Sequence, residues 1–372
     1  MTNPLVELLA FGQSFWYDNI RRQFLDDGTI AALIAEDGLR GITSNPSIFD
    51  SAIARSEDYD QQLAELVEDG ADTESIYEAL ALADIQAACD LFASLYKETN
   101  GGDGFVSLEV SPHLAHNTAE TIAEARRLFR AVDRPNVMIK VPATPEGIPA
   151  IRQLIGEGIN INITLMFSMA HYEAVAQAYI DGLQKWLDSG GDPHQVASVA
   201  SFFVSRVDTA VDKQLEKLDD PAATTLMGKA AIANSRLVYQ RFKEIFRERS
   251  GAFAELDESG ARAQRLLWAS TSTKNPDYRD TLYVEELIGP DTVNTMPPET
   301  IDAFRERGVV AYTLEKDLDE AQEVLDRLAE LQIDFEDITE QLQVDGVAAF
   351  AKSFDSLLET IDTKREELVA KQ

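Results

Sequence analysis

One lysine stands where a lysine is costly. The stretch Asn136 to Pro145 reads NVMIKVPATP, and Val137, Met138, Ile139 and Val141 form the short apolar run of a buried parallel strand. Lys140 lies inside that run. Taking an ammonium out of water without a partner is expensive, and a dry environment favours the uncharged amine. A neutral lysine amine is a nucleophile that forms a Schiff base with a carbonyl compound. Two blander readings compete with this one. The lysine is held by a buried carboxylate as a structural ion pair, or its chain runs out to water at the strand end.

Further reactive groups sit at the ends of the other apolar runs. Asp18 closes WYD, and Thr43, Ser44 and Asn45 close LRGITS. Glu109 lies in VSLEV, while Asn162 and Thr164 lie in NINIT. Ser201 is followed by Arg206, and the seventh run leads into STSTKN with Lys274. Asn294 and Thr295 end the eighth. Together these groups support cleavage of a carbon–carbon bond beside an imine. Lys140 attacks a ketone, and a carboxyl group beside the departing water shuttles its proton. Glu109 suits that task, with Thr164 holding the water. Asp18 is placed to take the proton from the hydroxyl whose carbon leaves. Asn45 and Asn162 offer amide donors and acceptors to substrate hydroxyls. Arg206 and Lys274 offer a clamp for a phosphate. Taken singly, each has an ordinary alternative: Asp18, Asn45 and Asn275 as helix N-caps, Glu109 as the neutralising partner of Lys140, and Arg206 as a helix-surface residue.

These groups need elements to bring them together. Eight apolar runs, at 15–18, 39–44, 105–110, 137–141, 159–165, 197–204, 266–270 and 292–295, alternate with segments of helical spacing. Helices are expected at 19–36, 59–68, 74–98, 115–132, 170–187, 221–249, 282–287, 299–307, 318–331 and 347–369, with a short one after Pro145 and one running to Lys217. Such alternation indicates parallel βαβ units. No G-x-G-x-x-G follows the first run and no G-x-x-x-x-G-K-[ST] occurs, so the open nucleotide-binding sheets lack their fingerprints. Eight strands in 372 residues predict a single (β/α)8 TIM barrel spanning 1–372, with roughly 312–372 as a C-terminal helical extension. In a barrel the strand C-termini share one rim, which gathers every residue named above.

The 33 Lys and Arg stand against 65 Asp and Glu, a formal net charge of -32. That balance opposes nucleic acid and anionic lipid, and an anionic metabolite then needs a local basic site. The excess acid also fits adaptation to high salt, where screening relieves self-repulsion. Cys89 is the only cysteine and lies in a helical pattern, which excludes a disulfide framework. The first residues lack the basic and apolar regions of a signal peptide, and no run of 18 apolar residues occurs, so a cytoplasmic protein is expected.

At these residues the sequence resembles the transaldolases, Schiff-base enzymes of sugar-phosphate metabolism. The matching stretches are TSNPSIF at 43–49, IKVPAT from Ile139, NINITLMFS at 160–168, SVASFFVSRVDT at 198–209, WASTSTKNPDY at 268–278 and NTMPPETID at 294–302. The length resembles the long bacterial form. The resemblance implies a (β/α)8 barrel in which Lys140 is the Schiff-base lysine, Asp18 the acid/base, and Glu109 and Thr164 the holders of the catalytic water. It implies that Asn45, Asn162 and Ser201 bind the dihydroxyacetone portion and that Arg206 binds phosphate. Many transaldolases carry an arginine after strand seven as a second phosphate ligand. Here the loop reads STSTKN, which assigns Lys274 by position, a point charge in place of a bidentate fork. The implied reaction moves a dihydroxyacetone unit from a ketose phosphate to an aldose phosphate in the pentose phosphate pathway, with no cofactor and no metal, in a monomer or homodimer. The rivals are an aldolase releasing free dihydroxyacetone, a metal-dependent aldolase using His113 and His116, and a non-enzymatic phosphosugar-binding barrel.

Overall fold

The computed structural model describes residues 3–218, 220–248 and 251–370. Eight parallel strands close into a barrel in chain order: β1 (Gln13–Asp18), β2 (Gly41–Thr43), β3 (Phe105–Glu109), β4 (Val137–Pro142), β5 (Ile161–Met166), β6 (Ser198–Phe203), β7 (Arg265–Ala269) and β8 (Thr292–Met296). β1 pairs with β8 to complete the ring. All eight expected strands are present, each with ends within two residues of the sequence reading. The strands are buried on both faces, which is why they read as nearly continuous apolar runs.

Alternation along each strand decides what enters the barrel. Ser14, Trp16 and Asp18 share one side of β1. Trp16 crosses the interior, and its ring centroid lies 6.4 Å from that of Phe105. A Cβ on Gly41 would stand 2.7 Å from the Trp16 ring, so a glycine is required there. The lower end is plugged by polar groups: Asp103 accepts from Ser14 Oγ at 2.7 Å and pairs with Arg265 at 2.8 Å. The upper ends of the same inward stripes carry Asp18, Thr43, Glu109 and Lys140. Register places Glu109, Lys140 and Asn162 side by side on β3, β4 and β5.

Several helices depart from expectation. The segment 19–36 is not one helix but Arg22–Asp26, Thr29–Ala32 and a π turn Leu33–Asp37, interrupted at Gly28, which adopts φ 88. Asn45-Pro46 opens a helix, Pro46–Ala54, because Asn45 is an N-cap and proline suits the first turn. A further unexpected helix, Pro4–Ala10, precedes β1. The 115–132 helix begins at Thr118, capped by Asn117. The 221–249 segment divides into Pro221–Thr224 and Ala230–Phe246, with Gly228 at φ 70 between them; its expected end at Arg249 lies outside the described residues. The last helix begins at Phe335, not near 347, because Asp334 caps it through Asp337 N.

One helix, Thr73–Glu98, is long and apolar enough to cross a membrane by length and composition alone. Here it packs on β3 and buries Asp84, which accepts from Arg22 and from the Tyr59 hydroxyl, each at 2.8 Å. Cys89 lies on the same helix, fully buried, and burial pushes its thiol up to about 12.

Candidate active site

Burial and register concentrate chemistry at the strand C-termini. A cavity of ≈ 180 Å³ opens there, lined among others by Asp18, Asn45, Lys140, Thr164, Ser201, Arg206 and Lys274. Seven of the nine residues singled out from the sequence therefore share one wall-to-wall space. The other two, Glu109 and Asn162, lie directly behind it.

Lys140 is 5% exposed. Its Nζ donates to the Ser44 carbonyl at 3.1 Å and lies 3.4 Å from Glu109 Oε2. Nζ thus has a carbonyl and a carboxyl beside it, as the ion-pair reading required, yet Lys140 still lines the cavity. Burial raises the Glu109 carboxyl above its ordinary value, with the Lys140 charge opposing. Glu109 Oε2 and Thr164 Oγ1 are both buried without a hydrogen-bond partner. Buried polar atoms without a hydrogen bond are uncommon; Oε2 has only Lys140 Nζ near it, at 3.4 Å, and Thr164 lines the same cavity as Lys140.

Thr164 follows Asn162 in regular alternation, paired with Pro142 of β4, and β5 breaks just beyond it. The β5–β6 register shifts between Ile163 and Met166, and Leu165 adopts φ 63. A left-handed leucine is unfavourable in itself; bulges of this kind re-aim side chains beside active sites. Ser270, at the end of β7, is likewise left-handed at φ 57, and its hydroxyl lies 2.8 Å from that of Ser205.

Asp18 is not a helix cap. Its Oδ1 accepts from Thr43 Oγ1 at 2.7 Å, and Thr43 lies 2.7 Å from Thr295 Oγ1. Burial raises its carboxyl, opposed first by Lys140 and then by the Thr43 hydrogen bond. Asn45 does serve as an N-cap, its Oδ1 accepting from Ile48 N at 3.0 Å, and it lines the cavity as well. Asn275 makes an Asx turn to Asp277 N and caps no helix. Asn162 is fully buried, donating to Ser107 Oγ at 3.0 Å and accepting from Ser201 Oγ at 2.7 Å, so it meets the cavity through Ser201.

The two cations form the positive end. Arg206 stacks 5.2 Å from the Phe203 ring and has no ion-pair partner among the described residues. Burial draws its guanidinium down from the usual value, Asp18 opposing. Lys274 is exposed and donates to Ser272 Oγ at 2.7 Å. Two cations without carboxylate partners, on a chain of net charge -32, make a local anion site of the kind the composition demanded.

Some lining residues escaped the sequence reading: Phe203, Phe350 and Glu299. Glu299 lies in a quoted motif, and Phe203 follows Ser201 at the inward-facing spacing, so both had a local signal. Phe350 had none, since nothing local shows where a terminal helix lands. His113 pairs with Asp355 at 2.7 Å and His116 with Glu146 at 3.1 Å. Among the described residues, no three His, Cys, Asp or Glu side chains converge as metal ligands.

The arrangement is an amine, two carboxyls of raised pKa, hydroxyl and amide groups, and an anion site, all on one barrel rim. Residues 15–361 match the family model described as Transaldolase/Fructose-6-phosphate aldolase. The transaldolase of Thiobacillus denitrificans is 49% identical over 359 residues, covering 96% of this chain and 99% of that protein. That of Trichodesmium erythraeum is 44% identical, with 99% of each chain covered, and that of a Parafrankia species is 47% identical, again with 99% of each covered.

Proposed function

The chain belongs to the transaldolase/fructose-6-phosphate aldolase family, and from that membership and the rim geometry we propose a Schiff-base transfer reaction centred on Lys140. It is an enzyme that transfers aldehyde or ketone residues, as its relatives are. In this reading the Lys140 amine, freed of its proton, attacks the ketone of a ketose phosphate such as fructose 6-phosphate or sedoheptulose 7-phosphate. Glu109 and Thr164 hold the water that leaves as the imine forms, and a buried oxygen on each without a hydrogen-bond partner supports that role. Asp18 takes the proton from the hydroxyl on the carbon that departs, and the bond to its neighbour breaks with the electrons drawn toward the imine. The aldose phosphate leaves, and the dihydroxyacetone enamine on Lys140 attacks the aldehyde of the next one, glyceraldehyde 3-phosphate or erythrose 4-phosphate. Asn45, Ser201 and, behind it, Asn162 hold the hydroxyls of the three-carbon unit. Arg206 and Lys274 hold the phosphate.

The observation that carries this reading is a buried lysine whose amine reaches the cavity beside a carboxyl at 3.4 Å. We place the reaction in the pentose phosphate pathway and in the cytoplasm, as a monomer or homodimer that requires no cofactor and engages neither nucleic acid nor membrane. Borohydride reduction in the presence of fructose 6-phosphate, followed by peptide mapping, tests the centre of it. A mass gain confined to the peptide carrying Lys140 is expected; an unlabelled Lys140 removes the Schiff base.

A further inference from the structure

The C-terminal helix Phe335–Val369 lies across the open end of the barrel. It presents Gln343, Gly346 and Phe350 at three and four residue spacing on one face. Gln343 Nε2 donates to the carbonyls of Ala143 and Leu165, each at 3.0 Å, so one side chain ties together the chain ends of β4 and β5. A Cβ on Gly346 would stand 2.8 Å from Leu165 Cδ2, so the glycine lets the helix sit close over β5 without displacing that side chain. This position brings Phe350, 6% exposed, into the cavity. Its ring centroid lies 5.5 Å from Lys140 Nζ and 5.9 Å from the Arg206 guanidinium carbon. The helix is held on both sides of the mouth, by Glu340 to His171 at 2.9 Å and by Thr360 to Asp50 at 3.0 Å.

We infer that Phe350 decides the fate of the three-carbon intermediate. This rests on the Schiff-base reading above. The enamine on Lys140 has two exits. Its nucleophilic carbon bonds to the carbonyl carbon of an aldehyde, whose oxygen takes a proton; water then adds to the resulting iminium carbon, the C–N bond breaks, and the longer ketose leaves with the amine restored, which is transfer. Alternatively that carbon takes a proton. Water then adds to the resulting iminium carbon, the C–N bond breaks, and dihydroxyacetone leaves with the amine restored. Both exits end in hydrolysis by the water that Glu109 and Thr164 hold; they part at protonation of the enamine carbon, and the ring of Phe350 fills the space beside Lys140 with groups that donate no proton and leave no room for a further water that would. The ring face also attracts the cationic iminium that precedes cleavage and follows acceptor addition. Phe350 is thus a specificity-determining residue. Gln343 is a positioning residue, setting the height of the ring through two strand ends.

The test measures the ratio of free dihydroxyacetone to transfer product, with fructose 6-phosphate as donor and erythrose 4-phosphate as acceptor, in the unsubstituted protein, Phe350→Ala and Phe350→Leu. The Lys140 adduct is trapped with borohydride in each. Phe350→Ala is expected to form the adduct and to raise the ratio roughly tenfold or more, the discrimination that a lost hydrophobic contact produces. Phe350→Leu, which keeps an apolar plug, is expected between the two. A purely structural phenylalanine would lower the yield of folded protein and leave the ratio of the folded fraction alone. An adduct with an unchanged ratio in Phe350→Ala overturns the inference and leaves the Schiff-base reading standing; no adduct in the unsubstituted protein overturns that reading itself. Should Phe350→Ala not fold, Phe350→Leu carries the test, and an unchanged ratio there overturns the inference equally.

Discussion

At the residue scale the centre is a lysine that the fold both buries and partners. Lys140 and Glu109 lie 3.4 Å apart with about 6% of each side chain exposed. Such a pair is costly to break from one side. Removing the lysine would strand a carboxylate, but burial already favours the protonated form of Glu109, which softens that cost. Lys140→Met is therefore expected to fold, with a cooperative melt, while turnover falls by roughly 10⁵ or more, the scale on which loss of a covalent nucleophile is felt. Near-normal turnover in a folded Lys140→Met would remove the nucleophile assignment. Lys274 is different in kind. It is exposed and, among the described residues, bonded only to Ser272, so its loss should not touch the fold. Lys274→Ala is expected to raise KM for phosphorylated substrates about tenfold or more, in line with a charge-assisted hydrogen bond of about 1.5–3 kcal/mol, and to leave KM for unphosphorylated acceptors nearly unchanged. Kinetics with matched phosphorylated and unphosphorylated aldehydes decide this; equal losses would strip Lys274 of a phosphate role.

At the scale of elements, the helix following β6, Ser205–Leu215, does two jobs. Its first turn holds Arg206 toward the cavity. Its buried face holds Asp208, which accepts from Ala231 N at 2.7 Å and from the Tyr283 hydroxyl at 2.8 Å, and Asp212, which accepts from Gly228 N at 3.0 Å and from the Tyr278 hydroxyl at 2.6 Å. These bonds fasten the loop carrying Lys274 to the helix carrying Arg206, so the two cations share a frame. Burial pushes the Asp208 carboxyl up to about 7. The folded state therefore keeps a proton that the unfolded chain releases near pH 3.9. With more protons bound in the folded state, stability falls as pH rises from about 4 to about 7. Asp208→Asn retains an acceptor for Ala231 N and lets the Tyr283 hydroxyl accept in turn. Its melting temperature is expected to gain on that of the parent as pH rises through this window, and parallel curves between pH 4 and 8 would contradict the assignment.

At the scale of the whole molecule, a net charge of -32 on 372 residues sets the conditions under which the fold is comfortable. Repulsion between exposed carboxylates reaches over about 10 Å at 0.1 M salt and only about 3 Å at 1 M. Most of the buried chemistry is shielded from that change. Thermal stability is expected to rise by several degrees between low and molar sodium chloride, while KM for phosphorylated substrates rises too, because the same screening weakens the anion site. A melting temperature independent of salt would dismiss self-repulsion as a factor.

What the sequence by itself determined was everything carried by local pattern. Strand period, apolar runs and the alternation with helical segments were enough for eight strands and a closed barrel, because a strand buried on both faces has few other compositions. Knowing that barrel strands end on one rim then gathered Asp18, Asn45, Glu109, Lys140, Asn162, Thr164, Ser201, Arg206 and Lys274 without any coordinates. Where the reading slipped, at 19–36 and in the start of the final helix, the deciding events were a single left-handed glycine and a cap at Asp334, well upstream of 347, both weak against a helical periodicity. Only the tertiary structure decided which of the nine face the cavity directly, that β5 turns left-handed at Leu165, and that Phe350 lines the cavity from above. Those depend on contacts between parts of the chain up to 210 residues apart, from Lys140 to Phe350, and nothing in the local spacing of either residue encodes the meeting.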